Sequence, residues 1–270
     1  MARSMWSGSL SFGLVNVPVE LYSAVVDTDV HFRQLHDSDH VPIEVHRFCA
    51  EEDEEVPFEE IAHGYETDDG EQVVLTDAEL ATAAPRRTRT IEIEAFVDLA
   101  DVDPVLFDHP YLLMPAGDAE GTSRAYRLLL EVMQRTERAA LGRFVLRSRE
   151  YLVLIRARDE RLALTTLLFH DEVRDTRDLP TPTKKQKPTK KQVDQTVKLI
   201  EALSCDWDPG RYEDRYQKRL KRVIRDKQKG KTIKAPETER APAPVDDLMA
   251  ALEKTLAEIE SGDRRTPAAA

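Results

Sequence analysis

Three stretches near the middle of the chain, LGRFVLRSR (141–149), EYLVLIRAR (150–158) and RLALTTLLFH (161–170), have strand length and strand patterning with almost nothing between them. Connections this short cannot carry a parallel crossover, so the three must pair as antiparallel neighbours. Further strand patterns lie upstream, at residues 5–22, 30–36, 43–49 and 89–99 and at PYLLMP. So many short strands broken by few helices predict a mostly β fold with α segments, an antiparallel sheet closed into a barrel.

The first of these, MWSGSLSFGLVNVPVELY, is the most regular. Trp6, Gly8, Leu10, Phe12 and Leu14 occupy one phase of a period-2 repeat, and Ser7, Ser9, Ser11 and Gly13 the other. After Leu14 the phase flips to Val15, Val17, Val19 and Leu21. One extra residue reverses every later side chain, so the flip predicts a β-bulge or sharp corner in one continuous strand. Trp6, Leu10, Phe12 and Leu14 would then fill the interior, and the serines would let another layer approach. VHFRQLH and IEVHRFC predict a strand pair, and EEDEEVPFEE a short acidic helix. EQVVLTDAEL predicts a strand and then a helix capped by Thr76 and Glu79. A helix capped by Thr122 or Ser123 should run to about Arg135, with Tyr126, Leu129, Leu130 and Met133 on its buried face.

Composition shifts at Leu179. A Lys- and Pro-rich connector, TPTKKQKPTKK, leads into two helices, and PETERAPAPVD leads into a last one. The expected organisation is a core over 1–179, a helical arm over 180–232, a linker over 233–244 and a terminal helix and tail over 245–270. In that terminal helix Leu248, Leu252, Leu256 and Ile259 form an apolar stripe.

No chemistry of an enzyme emerges. KGKT (229–232) lacks the upstream glycine of a phosphate-binding loop, with Arg225 in its place, and GxGxxG and GxSxG are absent. His36, His40, His46 and Cys49 have no paired-ligand spacing for zinc, so neither metal nor cofactor is expected. Two distant cysteines suit a reducing compartment. The N-terminus has no apolar signal region and no run reaches membrane-spanning length, so the expectation is a cytoplasmic protein without a membrane partner.

A net charge of −12 taken alone argues against nucleic acid. The positive charges are segregated, however. PRRTR supplies Arg86, Arg87 and Arg89, and Arg143, Arg147 and Arg149 share one phase of a strand pattern. Such arginines either face solvent paired with Glu92, Glu94 or Glu150, or contact phosphates without reading bases.

MWSGSLSFGLVNVPVELYSA, FRQLH, EEVPFEEIAHGYE, VVLTDAEL, RTIEIEAFVDLADVDPVLFDHPYLLMP, RFVLRSRE, DEVRD, KLIEAL and DWDPGRYEDRY occur in that order. The ordered set resembles the bacterial Ku proteins of non-homologous end joining. The resemblance implies a ring-shaped homodimer of β-barrels, closed around duplex DNA ends by an arch of strands at about 30–75 and braced by C-terminal helical arms. It implies recruitment of an ATP-dependent DNA ligase, often fused to a polymerase, and association with the nucleoid. Mapped onto this chain, it makes Arg33, His46, Arg47, Arg147 and Arg149 phosphate ligands, joined by Arg86, Arg87 and Arg89. It assigns ligase docking to Leu248, Leu252, Leu256 and Ile259, the other reading of that amphipathic helix being that it packs on its own arm. A β-barrel scaffold for protein partners and a β-barrel RNA binder are the competing readings.

Overall fold

The computed structural model describes residues 3–85, 88–117, 119–180, 187–233 and 248–260. The chain forms two compact units, one of Met1–Asp27 with Gln34–Leu179 and one of Thr28–Arg33 with Pro180–Ala270.

In the first unit the strands are β1 (Trp6–Phe12), β2 (Val15–Ser23), β3 (His63–Glu66), β4 (Gln72–Leu75) and β5 (Thr90–Asp98). They continue with β6 (Phe107–Pro115), β7 (Arg138–Leu146), β8 (Arg149–Arg158) and β9 (Arg161–Leu167). Two helices intervene, α1 (Asp77–Ala83) and α2 (Glu120–Thr136). Seven strands close a barrel in the order β1-β2-β6-β9-β8-β7-β5, and β3 and β4 form a separate two-stranded sheet. The seams are antiparallel except the last, where β1 runs parallel to β5. Closure removes the exposed edges that an open sheet of this length would present.

The period-2 patterns supply the interior. Leu10, Val17, Val19, Leu21, Ile91, Leu113, Val153, Ile155, Leu162 and Leu164 are fully buried. α2 adds Tyr126, Leu129, Leu130 and Met133 to the same core, the face its 3.6-residue spacing selects. Burying the Tyr126 phenol is compensated. Its hydroxyl donates to Leu113 O at 2.7 Å and accepts from Leu162 N at 2.8 Å, tying α2 to β6 and β9. Burial raises its pKa.

Several expectations are corrected. The phase flip after Leu14 is neither a bulge nor a corner. β1 and β2 are two strands of a hairpin, with Phe12 opposite Val15 and only Gly13 and Leu14 between them. A two-residue turn also inverts the sequence phase, and Gly13 at φ 57° suits its first position. Leu14 therefore sits exposed at the tip, not in the interior. A close approach occurs at Gly8: a Cβ there would lie 2.2 Å from Arg89 O and 2.3 Å from the Trp6 ring. VHFRQLH and IEVHRFC are not regular strands. Only isolated bridges join Leu35 to Pro42 and Phe48 to Glu55, because residues exposed on every side bury no face that would fix a ladder. The acidic helix is a single 3₁₀ turn, Phe58–Glu60. α2 starts at Glu120 after Ala119, without the predicted side-chain cap. The capping box of α1 forms as expected between Thr76 and Glu79.

The second unit holds α3 (Lys190–Leu203), α4 (Arg215–Gln228) and α5 (Leu248–Glu260). α5 lies against α3, where Glu253 accepts from Gln195 Nε2 at 3.1 Å and pairs with Lys191 at 3.6 Å. The Thr28–Arg33 segment lies along α4. Gln217 Nε2 donates to Asp29 Oδ1 at 2.8 Å, and Phe32 borders an apolar cleft with Leu220, Val223 and Ile224.

Candidate nucleic-acid interface

β7 and β8 are joined by a two-residue connection. Leu146 pairs with Arg149, leaving Arg147 and Ser148 as the whole turn. Both are left-handed, at φ 50° and 71°, the conformation of a type I′ turn that normally takes Asn-Gly. Neither residue type prefers this region, so the turn holds backbone strain to present an arginine at its tip. The placement also alters the predicted phase. Arg143 and Arg149 lie within strands, whereas Arg147 belongs to the turn.

These three arginines have different electrostatic surroundings. Arg143 is pinned between Glu94 Oε1 at 3.0 Å and Glu150 Oε2 at 3.1 Å. Glu150, followed by Glu94, holds its guanidinium still more firmly in the charged form. A register shift in β5 between Ile93 and Ala95 bulges Glu94 toward this cluster. Gly142 permits the close strand approach there, since a Cβ would come within 2.3 Å of Glu92 O. For Arg143 the paired, solvated-face reading therefore holds. Arg149 is paired once, through Nη2 to Glu172 Oε1 at 2.8 Å, with its Cζ 5.4 Å from the Tyr151 ring centroid. Arg147 is exposed and forms no ion pair among the described residues. The tip is thus a cationic point on a hairpin whose next arginine along β7 is neutralised.

The exposed 34–56 segment holds two further candidates, His46 and Arg47. Two loops shape it, closed by His36 N to Val41 O at 2.8 Å and Val56 N to Arg47 O at 2.8 Å. The Arg47 guanidinium lies 5.6 Å from the Phe58 ring centroid. His46 is held on both ring nitrogens, by Glu55 at 2.6 Å and Glu44 at 3.5 Å. The hydrogen bond to Glu55 is the chief cause of its raised pKa. Arg89 precedes β5 at φ 47°, and its carbonyl accepts from Ser9 N at 3.0 Å. Arg33 is exposed and belongs to the second unit. Arg86 and Arg87 lie outside the described residues. Of the terminal stripe, Leu252, Leu256 and Ile259 are half-buried on α5, and Leu248 is its first residue. Among the described residues, no three His, Cys, Asp or Glu side chains are placed to hold a metal ion. Cys49 and Cys205 are free thiols. No described helix is long and apolar enough to cross a membrane.

The closed seven-stranded barrel falls in the class of Ku-type β-barrel proteins. Residues 11–195 match the family model described as the Ku70/Ku80 beta-barrel domain. The chain is 41% identical over 263 residues to non-homologous end joining protein Ku 1 of Geotalea uraniireducens (strain Rf4), covering 96% of this chain and 98% of that one. It is 41% identical to non-homologous end joining protein Ku of Anaeromyxobacter sp. (strain K), covering 95% of this chain and 86% of the relative. The Mycobacterium tuberculosis (strain H37Rv) protein of the same name is 35% identical, with 98% of both chains covered. The chain belongs to the Ku family.

Proposed function

We propose that this protein binds double-stranded DNA ends without regard to sequence, as a homodimeric ring in non-homologous end joining, and performs no catalysis itself. The observation that carries the reading is the strained β7–β8 tip, where Arg147 is exposed without an ion pair among the described residues and Arg149 is reachable. Guanidinium groups suit phosphate oxygens, which carry no sequence information. Loading a closed ring requires a free end, so topology replaces base readout as the source of selectivity. A basic bore within an acidic exterior reconciles this with the net charge of −12, because local potential governs the encounter. In this reading residues 30–75 form the arch, and Arg33, His46, Arg47, Arg86, Arg87 and Arg89 supplement the tip. The α3–α4 arm braces the dimer. Its exposed Ile200, Trp207, Tyr212 and Tyr216, with Trp207 stacked on Tyr212 at 5.3 Å, supply apolar surface for a second copy. The α5 stripe of Leu248, Leu252, Leu256 and Ile259 docks an ATP-dependent DNA ligase, and the protein works at the nucleoid.

R147E with R149E tests the reading. Duplex-end affinity should fall, and the dependence of log K on log salt should flatten by about 0.9 for each phosphate no longer engaged, with the dimer unchanged by light scattering. An unchanged slope would return both arginines to a solvated face. A scaffold reading is favoured by one separate feature, an apolar groove of about 530 Å³ lined by Phe12, Val15, Phe96, Leu128 and Val132. A scaffold would bind neither linear nor circular duplex.

A further inference from the structure

Glu172 is the acidic partner of a residue assigned above to DNA, and it is not a loose one. Its Oε2 accepts from Phe169 N at 2.8 Å, closing the 3₁₀ turn His170–Glu172, while its Oε1 receives Arg149 Nη2 at 2.8 Å. The backbone thus fixes the carboxylate, and Tyr151 supports the guanidinium from its face. The pair is solvent-accessible, with 62% of the Arg149 side chain and 34% of the Glu172 side chain exposed. An exposed pair of this kind is held weakly, so an incoming anion can replace the carboxylate.

We propose that Glu172 is a built-in counterion of the DNA site, holding Arg149 in place in the free protein and surrendering it to a backbone phosphate. This rests on the end-binding reading above. An arginine meeting phosphate normally releases a bound salt ion, and that release produces the salt dependence. Here the phosphate still sheds its cation, but the freed Glu172 carboxylate gathers one from solution, so the two nearly cancel. Arg149 then contributes position to the complex but little to the salt slope, whereas Arg147 contributes its full share. The tip's net charge is also lower in the free protein, which limits its attraction to other polyanions.

The experiment measures binding to a short linear duplex across salt concentrations for wild type, E172Q, R149Q and R149Q with E172Q. E172Q should steepen the log–log slope by about 0.9, so that its advantage over wild type grows roughly threefold from about 200 to about 50 mM salt. In the R149Q background the same substitution should leave the slope unchanged. Equal effects in both backgrounds would reduce Glu172 to a general repulsive charge and overturn the proposal. E172D keeps the charge and should keep the wild-type slope. If it steepens as E172Q does, disturbance of the 169–172 turn is responsible and the proposal fails. Wild type that does not bind the linear duplex at all would refute the end-binding reading itself, a different outcome from bound wild type with an unaltered E172Q slope.

Discussion

Replacing Arg147 and Ser148 by Asn and Gly should make the protein more stable and a weaker DNA binder at once. Both residues occupy the left-handed region, at φ 50° and 71°, as the sole members of a two-residue turn. Each such L-residue costs roughly 1–2 kcal/mol, a penalty Gly escapes and Asn largely offsets. The gain is opposed by the wider freedom Gly gives the unfolded chain, leaving about 1–2 kcal/mol for the pair. In a domain of this size that corresponds to a rise of about 2–8 °C in Tm, readable by thermal circular dichroism. The loss of Arg147 should simultaneously flatten the salt dependence of duplex-end binding by about 0.9. S148G alone separates the effects, since it should stabilise without altering the slope. A double variant that melts lower than wild type would refute the assignment of strain to this turn. One that melts higher but binds with an unaltered slope would remove Arg147 from the interface.

Other consequences follow from individual contacts. Y126F should destabilise the barrel by about 1–3 kcal/mol in denaturant unfolding, because Leu162 N–H and Leu113 O both lose a buried partner. His46 should titrate above its ordinary value near 6.5 in an NMR pH series, and E55Q should lower that midpoint. Because its folded pKa is raised, the His46–Glu55 pair contributes fully below about 6.5 and is lost as pH climbs through the raised value. A midpoint at or below the ordinary value would contradict the pairing. L252D with L256D should abolish ligase stimulation while leaving end binding and the barrel's melting midpoint intact. Surviving stimulation would move the docking site elsewhere.

The barrel was legible where burial and periodicity coincide. The β7–β8–β9 meander, the apolar face of α2 and the Thr76–Glu79 capping box are each set by residues close in sequence. Legibility failed where two geometries share one pattern. A bulge and a two-residue hairpin both invert the phase after Leu14, and glycine at Gly13 was the signal that favoured the hairpin. The Arg147–Ser148 turn could not be read from residue type, because arginine and serine are poor markers of left-handed backbone. Residues 30–49 carry strand-like alternation, yet they are exposed and bury no face to fix regular pairing. Family resemblance pointed to Arg147 and Arg149, but not to the carboxylate that distinguishes them. Glu172 is 23 residues from Arg149, and only the fold brings the two together.

If a closed ring selects DNA by its ends, a single comparison of DNA topologies exposes it directly. The same plasmid is presented either linearised or covalently closed, at equal concentration and salt, and bound protein is measured by gel shift. End selection predicts binding to the linear form and none to the closed circle. It also predicts that protein loaded on the linear form stays trapped once both ends are blocked. Equal binding to the linear and closed forms would contradict it.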